Sequence, residues 1–176
     1  MRYDRVVFVC RDNSCLSMIA ENVFIHRYEG EPLYVASRGL VVLFEVPCNP
    51  KAEEVLAKHG IEMVRKTCLE IRSGDITDST LVIAVREPDR QRFMARFPYM
   101  QAWTLSMLAG QIGDVHDPYG GTEADYEMCY EDIDRCIVKA LPVIRAMLDD
   151  VREIDSSQLF EKEIMEEEKK DDSFRM

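Results

Sequence analysis

Short apolar runs alternate with longer segments of helical periodicity along most of the chain. Arg5–Cys10 and residues 81–85 are almost entirely apolar, which is typical of central parallel strands that are buried on both faces. Weaker apolar runs predict further short strands at residues 33–36, 61–66 and 101–105. The strand pattern therefore predicts a parallel sheet with residues 5–10 and 81–85 near its centre.

Helical periodicity follows the first strand directly. A segment that begins at Ser17 has apolar residues at helical spacing and Glu21 four positions after the serine, so it predicts a capped amphipathic helix that ends near Gly30. Further helices are predicted at residues 50–59, from Pro88 onward and at residues 122–148, where Pro142 predicts a kink.

Strands that alternate with helices predict a doubly wound α/β fold with a parallel sheet. We expect residues 1–150 to form one domain. Residues 151–176 carry nine acidic and five basic side chains and few apolar ones, which predicts a charged tail that is helical or frayed. A narrow apolar stripe in this tail is a candidate surface for docking on the domain or on a protein partner, and it consists of Leu159, Phe160, Ile164 and Met165.

Composition narrows the classes of function. The formal net charge of the 176 residues is −11, which argues against nucleic acid or an anionic membrane as the main partner. No stretch approaches the roughly 18 consecutive apolar residues of a membrane span, and the N-terminus lacks a signal-peptide pattern, so we expect a cytoplasmic protein. The six cysteines show no CxxC spacing, so we expect thiols and no metal site.

The segment after the first strand has the features of an anion-binding loop. Cys10 ends the strand and is followed by a short polar loop and the predicted helix. Successive backbone N–H groups at a helix N-terminus bind anions, and the same field lowers the pKa of a thiol. Asp117, before Pro118 in a glycine-rich loop, is a candidate proton donor, although a turn residue before proline is the alternative interpretation.

These two segments together resemble the low-molecular-weight protein tyrosine phosphatase family, in its bacterial form with a DPxGG acid loop, over about residues 3–150. The resemblance implies a three-layer α/β/α fold around a four-stranded parallel sheet, with the phosphate loop after the first strand. It also implies that Ser37 braces this loop by hydrogen bonds. The residues that carry the resemblance are Cys10, Asn13, Cys15, Ser17, Ala20, Glu21, Ser37, residues 58–61 and Asp117-Pro118-Tyr119-Gly120-Gly121.

The resemblance implies a two-step hydrolysis that needs no metal or cofactor. Cys10 would attack phosphorus, Asp117 would protonate the leaving oxygen, and water would then hydrolyse the cysteinyl-phosphate. Cys15 would form a reversible disulfide with Cys10 that prevents overoxidation. The ligand would be a phosphorylated protein or a small phosphoester. The implied phosphate-binding residues are Arg11, Asp12, Asn13, Ser14, Cys15, Leu16 and Ser17.

Two residues depart from the family pattern. Leu16 stands where the family has an arginine that grips the phosphoryl oxygens, and Asp12 stands where it usually has glycine. One positive charge is lost and one negative charge is gained, and both changes oppose the binding of a phosphate dianion. Arg86 and Arg38 are candidate substitute cations, whereas Arg11 is expected at the cleft rim. The family's histidine-containing segment after the second helix is also replaced by residues 64–66, Val-Arg-Lys.

Three functions remain open at this point. The departures favour a pseudophosphatase or regulatory binding module with impaired or lost activity. The presence of Cys10 and Asp117 favours an active protein tyrosine or arginine phosphatase that uses a substitute arginine. A third candidate is an arsenate reductase-like protein, which shares the CxxNSC loop. That chemistry needs further cysteines near the middle of the chain, and the sequence has none between Cys68 and Cys129.

Overall fold

The strands and helices follow the alternation that the hydrophobic pattern predicts. A computed structural model describes residues 3–149, so the predicted tail at 151–176 and its stripe of Leu159, Phe160, Ile164 and Met165 lie outside the described residues. In chain order the elements are β1 (Arg5–Cys10), α1 (Leu16–Arg27), β2 (Tyr34–Gly39), α2 (Pro50–Lys58), a 3₁₀ turn (Ser73–Asp75), β3 (Thr80–Ala84), α3 (Glu87–Arg96), β4 (Ala102–Thr104), α4 (Leu105–Leu108) and α5 (Glu123–Asp149).

The four strands form one parallel sheet in the order β2-β1-β3-β4. Alternate side chains of β1 point to opposite faces, as strand geometry requires. Val6 and Phe8 pack in the core with α1 and α5, whereas Val7 and Val9 pack on the other face with α3. The predicted three-layer α/β/α fold with a four-stranded parallel sheet is therefore confirmed.

Two predicted strands differ from the structure. Residues 61–66 form no strand. One backbone hydrogen bond of this segment goes to a side chain and not to a neighbouring strand, since the N–H of Val64 donates to Asn22 Oδ1 at 2.9 Å. The last strand is shorter than predicted because Thr104 Oγ1 accepts the N–H of Met107 at 3.0 Å. This hydrogen bond caps α4, a helix that the hydrophobic pattern did not predict.

The first helix is buried more completely than an amphipathic helix. Every residue of α1 from Leu16 to Phe24 is buried, because the helix lies between the sheet and α5. The helix begins one residue before the predicted start, and Cys15 occupies the capping position without a side-chain hydrogen bond to the helix. Ser17 is therefore free to make contacts with the loop that precedes it. Within residues 3–149, no helix is long and apolar enough to cross a membrane.

Candidate active site

The loop between β1 and α1 lies at the carboxyl end of the sheet, where open α/β sheets bind ligands. Cys10 is the last residue of β1 and is paired with Gly39 in β2. A Cβ atom at Gly39 would lie 2.7 Å from the carbonyl carbon of Asp12, so only glycine lets the loop rest directly on β2. Asn13 has a φ of 59°, in the left-handed region that asparagine tolerates. These two positions give the loop its sharp turn.

The Cys10 thiol lies at the base of this loop and is buried, with 2% of its surface exposed. Its sulfur lies 3.0 Å from Ser17 Oγ. Burial raises the pKa of Cys10 to about 12, and the charge of Asp12 also raises it, while hydrogen bonds from Ser17 and Asn13 oppose the change. Cys10 is therefore a neutral thiol near neutral pH, and not the thiolate that nucleophilic attack requires.

A buried polar network braces the loop from below. Asn13 Nδ2 donates to Ser17 Oγ at 2.8 Å and to Ser37 Oγ at 2.9 Å. The Oδ1 atom of Asn13 accepts the backbone N–H of Leu69 at 2.9 Å, and Ser37 Oγ donates to the buried carboxylate of Glu21. The structure thus places Ser37 directly under the loop, in the position that the family resemblance implied. The bonds fix the loop conformation because each buried polar atom needs its partner.

Arg65 completes the network, and its role was missing from the sequence analysis. Its Nη2 atom donates to the carbonyl oxygen of Ser37 at 3.0 Å, to Ser37 Oγ at 3.1 Å and to Asn13 Oδ1 at 3.3 Å. The same nitrogen lies 3.6 Å from Glu21 Oε2. Burial raises the pKa of Glu21, whereas the hydrogen bond from Ser37 and the charge of Arg65 oppose that shift. The arginine therefore places a cation beneath the loop.

Leu16 and Asp12, the two residues that the sequence analysis interprets as departures from the family pattern, both line the cleft. Leu16 lines the cleft that also contains Cys10 and is 7% exposed, so it presents an apolar side chain that cannot donate a hydrogen bond. Asp12 Oδ1 accepts the backbone N–H of Ser14 at 3.0 Å and the Ser14 hydroxyl at 2.8 Å. One loop N–H group is thus already bound to a carboxylate of the loop itself, and is not free for an external anion.

Asp117 and Arg86 face each other across the cleft. Arg86 Nη1 donates to Asp117 Oδ2 at 2.6 Å, and the backbone N–H of Tyr119 donates to Asp117 Oδ1 at 3.1 Å. Both oxygens of the candidate proton donor are therefore engaged. The backbone N–H of Glu87 donates to Asp114 at 2.9 Å, which holds the acid loop against the start of α3.

The loop, the acid loop and α3 enclose a cleft of about 570 Å³ that contains Cys10. Arg11 lines this cleft, as expected for a rim residue. Arg38 does not line it: its guanidinium is paired with Asp75 at 2.9 Å and lies at a separate depression. Of the two candidate substitute cations, only Arg86 lines the cleft that contains Cys10. The charged residues that line the cleft are three arginines and three aspartates, namely Arg11, Arg86, Arg92, Asp12, Asp89 and Asp117.

Several of these residues escaped the sequence analysis. Asp89 is 4% exposed and lines the cleft; burial raises its pKa, while the charges of Arg92 and Arg86 oppose the shift. Tyr126 lines the opposite wall, and its hydroxyl accepts a hydrogen bond from Asn49 at 2.7 Å. Pro88 predicted the start of a helix, but nothing in the local pattern indicated that the first turn of this helix lines the cleft that contains Cys10.

Comparisons with known proteins agree with this geometry. Residues 5–152 match the family described as low molecular weight phosphotyrosine protein phosphatase. The chain is 27% identical to the low molecular weight protein-tyrosine-phosphatase PtpB of Staphylococcus haemolyticus over 130 residues, which is 73% of this chain and 91% of that protein. It is 25% identical to a protein-arginine-phosphatase of Geobacillus stearothermophilus over 76% of this chain and 90% of that protein. A low molecular weight protein tyrosine phosphatase from T. tengcongensis superposes with a TM-score of 0.73 and 29% identity, over 78% of this chain and 97% of the other.

Proposed function

This chain belongs to the low molecular weight phosphotyrosine protein phosphatase family, and we propose that it is a pseudophosphatase: a member whose cleft binds phosphorylated ligands weakly and hydrolyses them very slowly. The observation that carries the proposal is an apolar residue, Leu16, in the cleft that contains the buried Cys10 thiol. Without a guanidinium at this position, the anion lacks its strongest donor, and the pKa of Cys10 stays near 12.

Two further contacts support the same proposal. The Asp12 carboxylate accepts the Ser14 N–H, so a phosphoryl oxygen has to compete with a covalently attached anion for this donor. Asp117 shares its two oxygens between Arg86 and Tyr119, so proton donation requires the acid loop to release both contacts. Loss of one preorganised donor costs about 10²–10³ in rate. The combined changes predict turnover at least ~10³-fold below an ordinary member.

An aryl phosphate assay tests the proposal directly. We expect the unmodified chain to hydrolyse the ester at least ~10³-fold more slowly than the T. tengcongensis protein measured alongside. Leu16→Arg should raise the rate partly, and Leu16→Arg with Asp12→Gly should raise it further. Cys10→Ser should abolish any activity that is measured. Ordinary turnover by the unmodified chain would overturn the proposal.

An active tyrosine or arginine phosphatase is the second candidate, and Arg86 is the observation that favours it. This guanidinium lines the cleft that contains Cys10. Its carboxylate partners are Asp117 at 2.6 Å and, more distantly, Asp114 at 4.0 Å, and a phosphate dianion can displace partly exposed partners of this kind. The two relatives carry the names of a tyrosine phosphatase and an arginine phosphatase, so both phosphorylated side chains are substrates to test. For this candidate, turnover of a phosphotyrosine or phosphoarginine peptide should be ordinary and should disappear in Arg86→Gln.

A further inference from the structure

The start of α2 contacts both of the loops that form the cleft. Asn49 caps this helix and lines the cleft, and its backbone N–H donates to the carbonyl oxygen of Ser14 in the phosphate loop at 2.9 Å. Lys51 lies two residues later, and its Nζ atom donates to the carbonyl oxygen of Gly121 at 2.6 Å. Gly121 ends the Asp-Pro-Tyr-Gly-Gly segment of the acid loop. The first turn of α2 is therefore bonded to the phosphate loop and to the acid loop.

Tyr126 in α5 holds the side chains of Asn49 and Lys51 in place. Its hydroxyl accepts a hydrogen bond from Asn49 Nδ2 at 2.7 Å, and the Lys51 ammonium lies 5.5 Å from the centre of its ring, within the range of a cation–π contact. Asn49 Oδ1 accepts the backbone N–H of Lys51 at 3.0 Å. A lysine side chain is flexible when it is unrestrained, and these contacts hold its ammonium group at one place.

The carbonyl group that Lys51 binds belongs to a tight turn next to Asp117. The N–H of Gly121 donates to the carbonyl oxygen of Pro118 at 2.8 Å, which closes the turn. A Cβ atom at Gly121 would lie 2.7 Å from the Cβ atom of Asp125, so the turn packs directly against the start of α5. Since the turn begins one residue after Asp117, a displacement of Gly121 also moves Asp117.

The residues before Asp117 are anchored to a different helix. The backbone N–H of His116 donates to Asp132 Oδ2 in α5 at 3.2 Å. Asp117 itself is paired with Arg86 at 2.6 Å, but partly exposed ion pairs of this kind are weak. The acid loop thus has one anchor on α5 before Asp117 and one on α2, through Lys51, after it.

We propose that Lys51 is a positioning residue: it holds the acid loop on α2 at the distance from the phosphate loop that places Asp117 in the cleft. Asn49 bonds the same turn of helix to the phosphate loop, so α2 is the common support of both loops. This role rests on the proposed function, since it concerns the acid loop of the same cleft. Loss of the Lys51 ammonium should release the turn and weaken the hydrogen bond from the Tyr119 N–H to Asp117 Oδ1.

Amide hydrogen exchange on the full chain, resolved residue by residue with NMR, tests this role. Lys51→Met keeps an unbranched side chain and removes the charged donor, so we expect the Tyr119 and Gly121 amides to exchange about 10-fold faster than in wild type. Lys51→Arg keeps a cationic donor and should restore the protection of both amides. Lys51 is partly exposed, so we expect both variants to fold, which circular dichroism checks.

Lys58→Met is the matched control. Lys58 lies in the same helix, and its Nζ atom donates to Glu123 Oε2 at 3.1 Å, so it joins α2 to α5 without bonding to the turn. This variant should leave both amides at their wild-type rates. Unchanged exchange in Lys51→Met, equal acceleration in Lys58→Met, or no recovery in Lys51→Arg overturns the proposal. The measurement requires no turnover, so its outcome is separate from that of the aryl phosphate assay.

Discussion

The Asp117 carboxylate lies against the guanidinium of Arg86, with Oδ2 and Nη1 2.6 Å apart. The candidate proton donor and the candidate substitute cation therefore neutralise each other. Their side chains are 42% and 29% exposed, and ion pairs of this exposure contribute about 1 kcal/mol or less. The contact is consequently weak enough for an anionic ligand to break, and either partner can be altered without loss of the fold.

This relationship predicts opposite effects of two substitutions on anion binding. Asp117→Asn removes one negative charge from the cleft and releases Arg86, so we expect inorganic phosphate to bind about fivefold more tightly. Arg86→Gln removes the cation and should weaken binding by a similar factor. Isothermal titration calorimetry measures both. Arg72→Gln, at the separate depression, is the control and should change nothing; an effect of the same sign in both cleft variants contradicts the prediction.

The burial of Cys10 predicts an alkaline profile for its reaction with iodoacetamide. Because only the thiolate reacts and burial raises the pKa of Cys10 to about 12, alkylation of Cys10, followed by mass spectrometry of the tryptic fragment of residues 6–11, should be slow at neutral pH and should rise toward pH 12. Leu16→Arg places a cation near the sulfur, and it should move this midpoint down by about 1–3 units. Leu16→Met is the uncharged control. A midpoint near neutral pH in the unmodified protein is the result that contradicts this prediction.

The conformation of Asn13 predicts a difference between two small replacements. Asn13→Ala loses the buried hydrogen bonds to Ser17, Ser37 and Leu69 and leaves a Cβ atom at a φ of 59°. We expect a fall of about 3 kcal/mol or more in the free energy of unfolding. Asn13→Gly loses the same bonds without the backbone strain, so it should be about 1 kcal/mol more stable than Asn13→Ala. Urea denaturation measures both, and equal stability of the two variants contradicts the role of the backbone.

The contact between Arg65 and Glu21 predicts a change in the pH dependence of stability. Burial raises the pKa of Glu21 above its usual 4.5, and the charge of Arg65 opposes the shift. At intermediate pH the folded protein therefore holds a proton on Glu21 that the unfolded chain releases. The contribution of this proton to the free energy of unfolding is complete below the usual pKa and is lost as pH rises through the raised pKa of the folded state. Arg65→Met should raise the pKa of Glu21 further and steepen the loss.

Urea midpoints measured from about pH 4 to pH 8 check this sign. The difference in midpoint between wild type and Arg65→Met should grow with pH across this range. Adding Glu21→Gln removes the titrating group and should make the difference independent of pH. A difference that shrinks as pH rises is the outcome that rules out the assignment.

The secondary structure was predictable where one local pattern dominated. The strands at β1 and β3 followed from continuous apolar runs, and α2 from the helical pattern that begins at Pro50. Residues 61–66 were predicted as a strand on their apolar content, but the backbone N–H of Val64 in this segment donates to the side chain of Asn22. The start of α1 was also predicted incorrectly, because Ser17 bonds to Cys10 and Asn13 and does not cap the helix.

For the candidate site, the sequence by itself determined the residue types: a thiol at the end of a strand, a leucine in the loop that follows it and an aspartate in a glycine-rich loop. Their order along the chain was enough to indicate the family, which the match over residues 5–152 shows. Only the tertiary structure decided which side chains meet, since Arg86 binds Asp117 and Arg38 binds Asp75. Local patterns depend on neighbouring residues, whereas these contacts join positions far apart in the chain and arise when helices pack on the sheet.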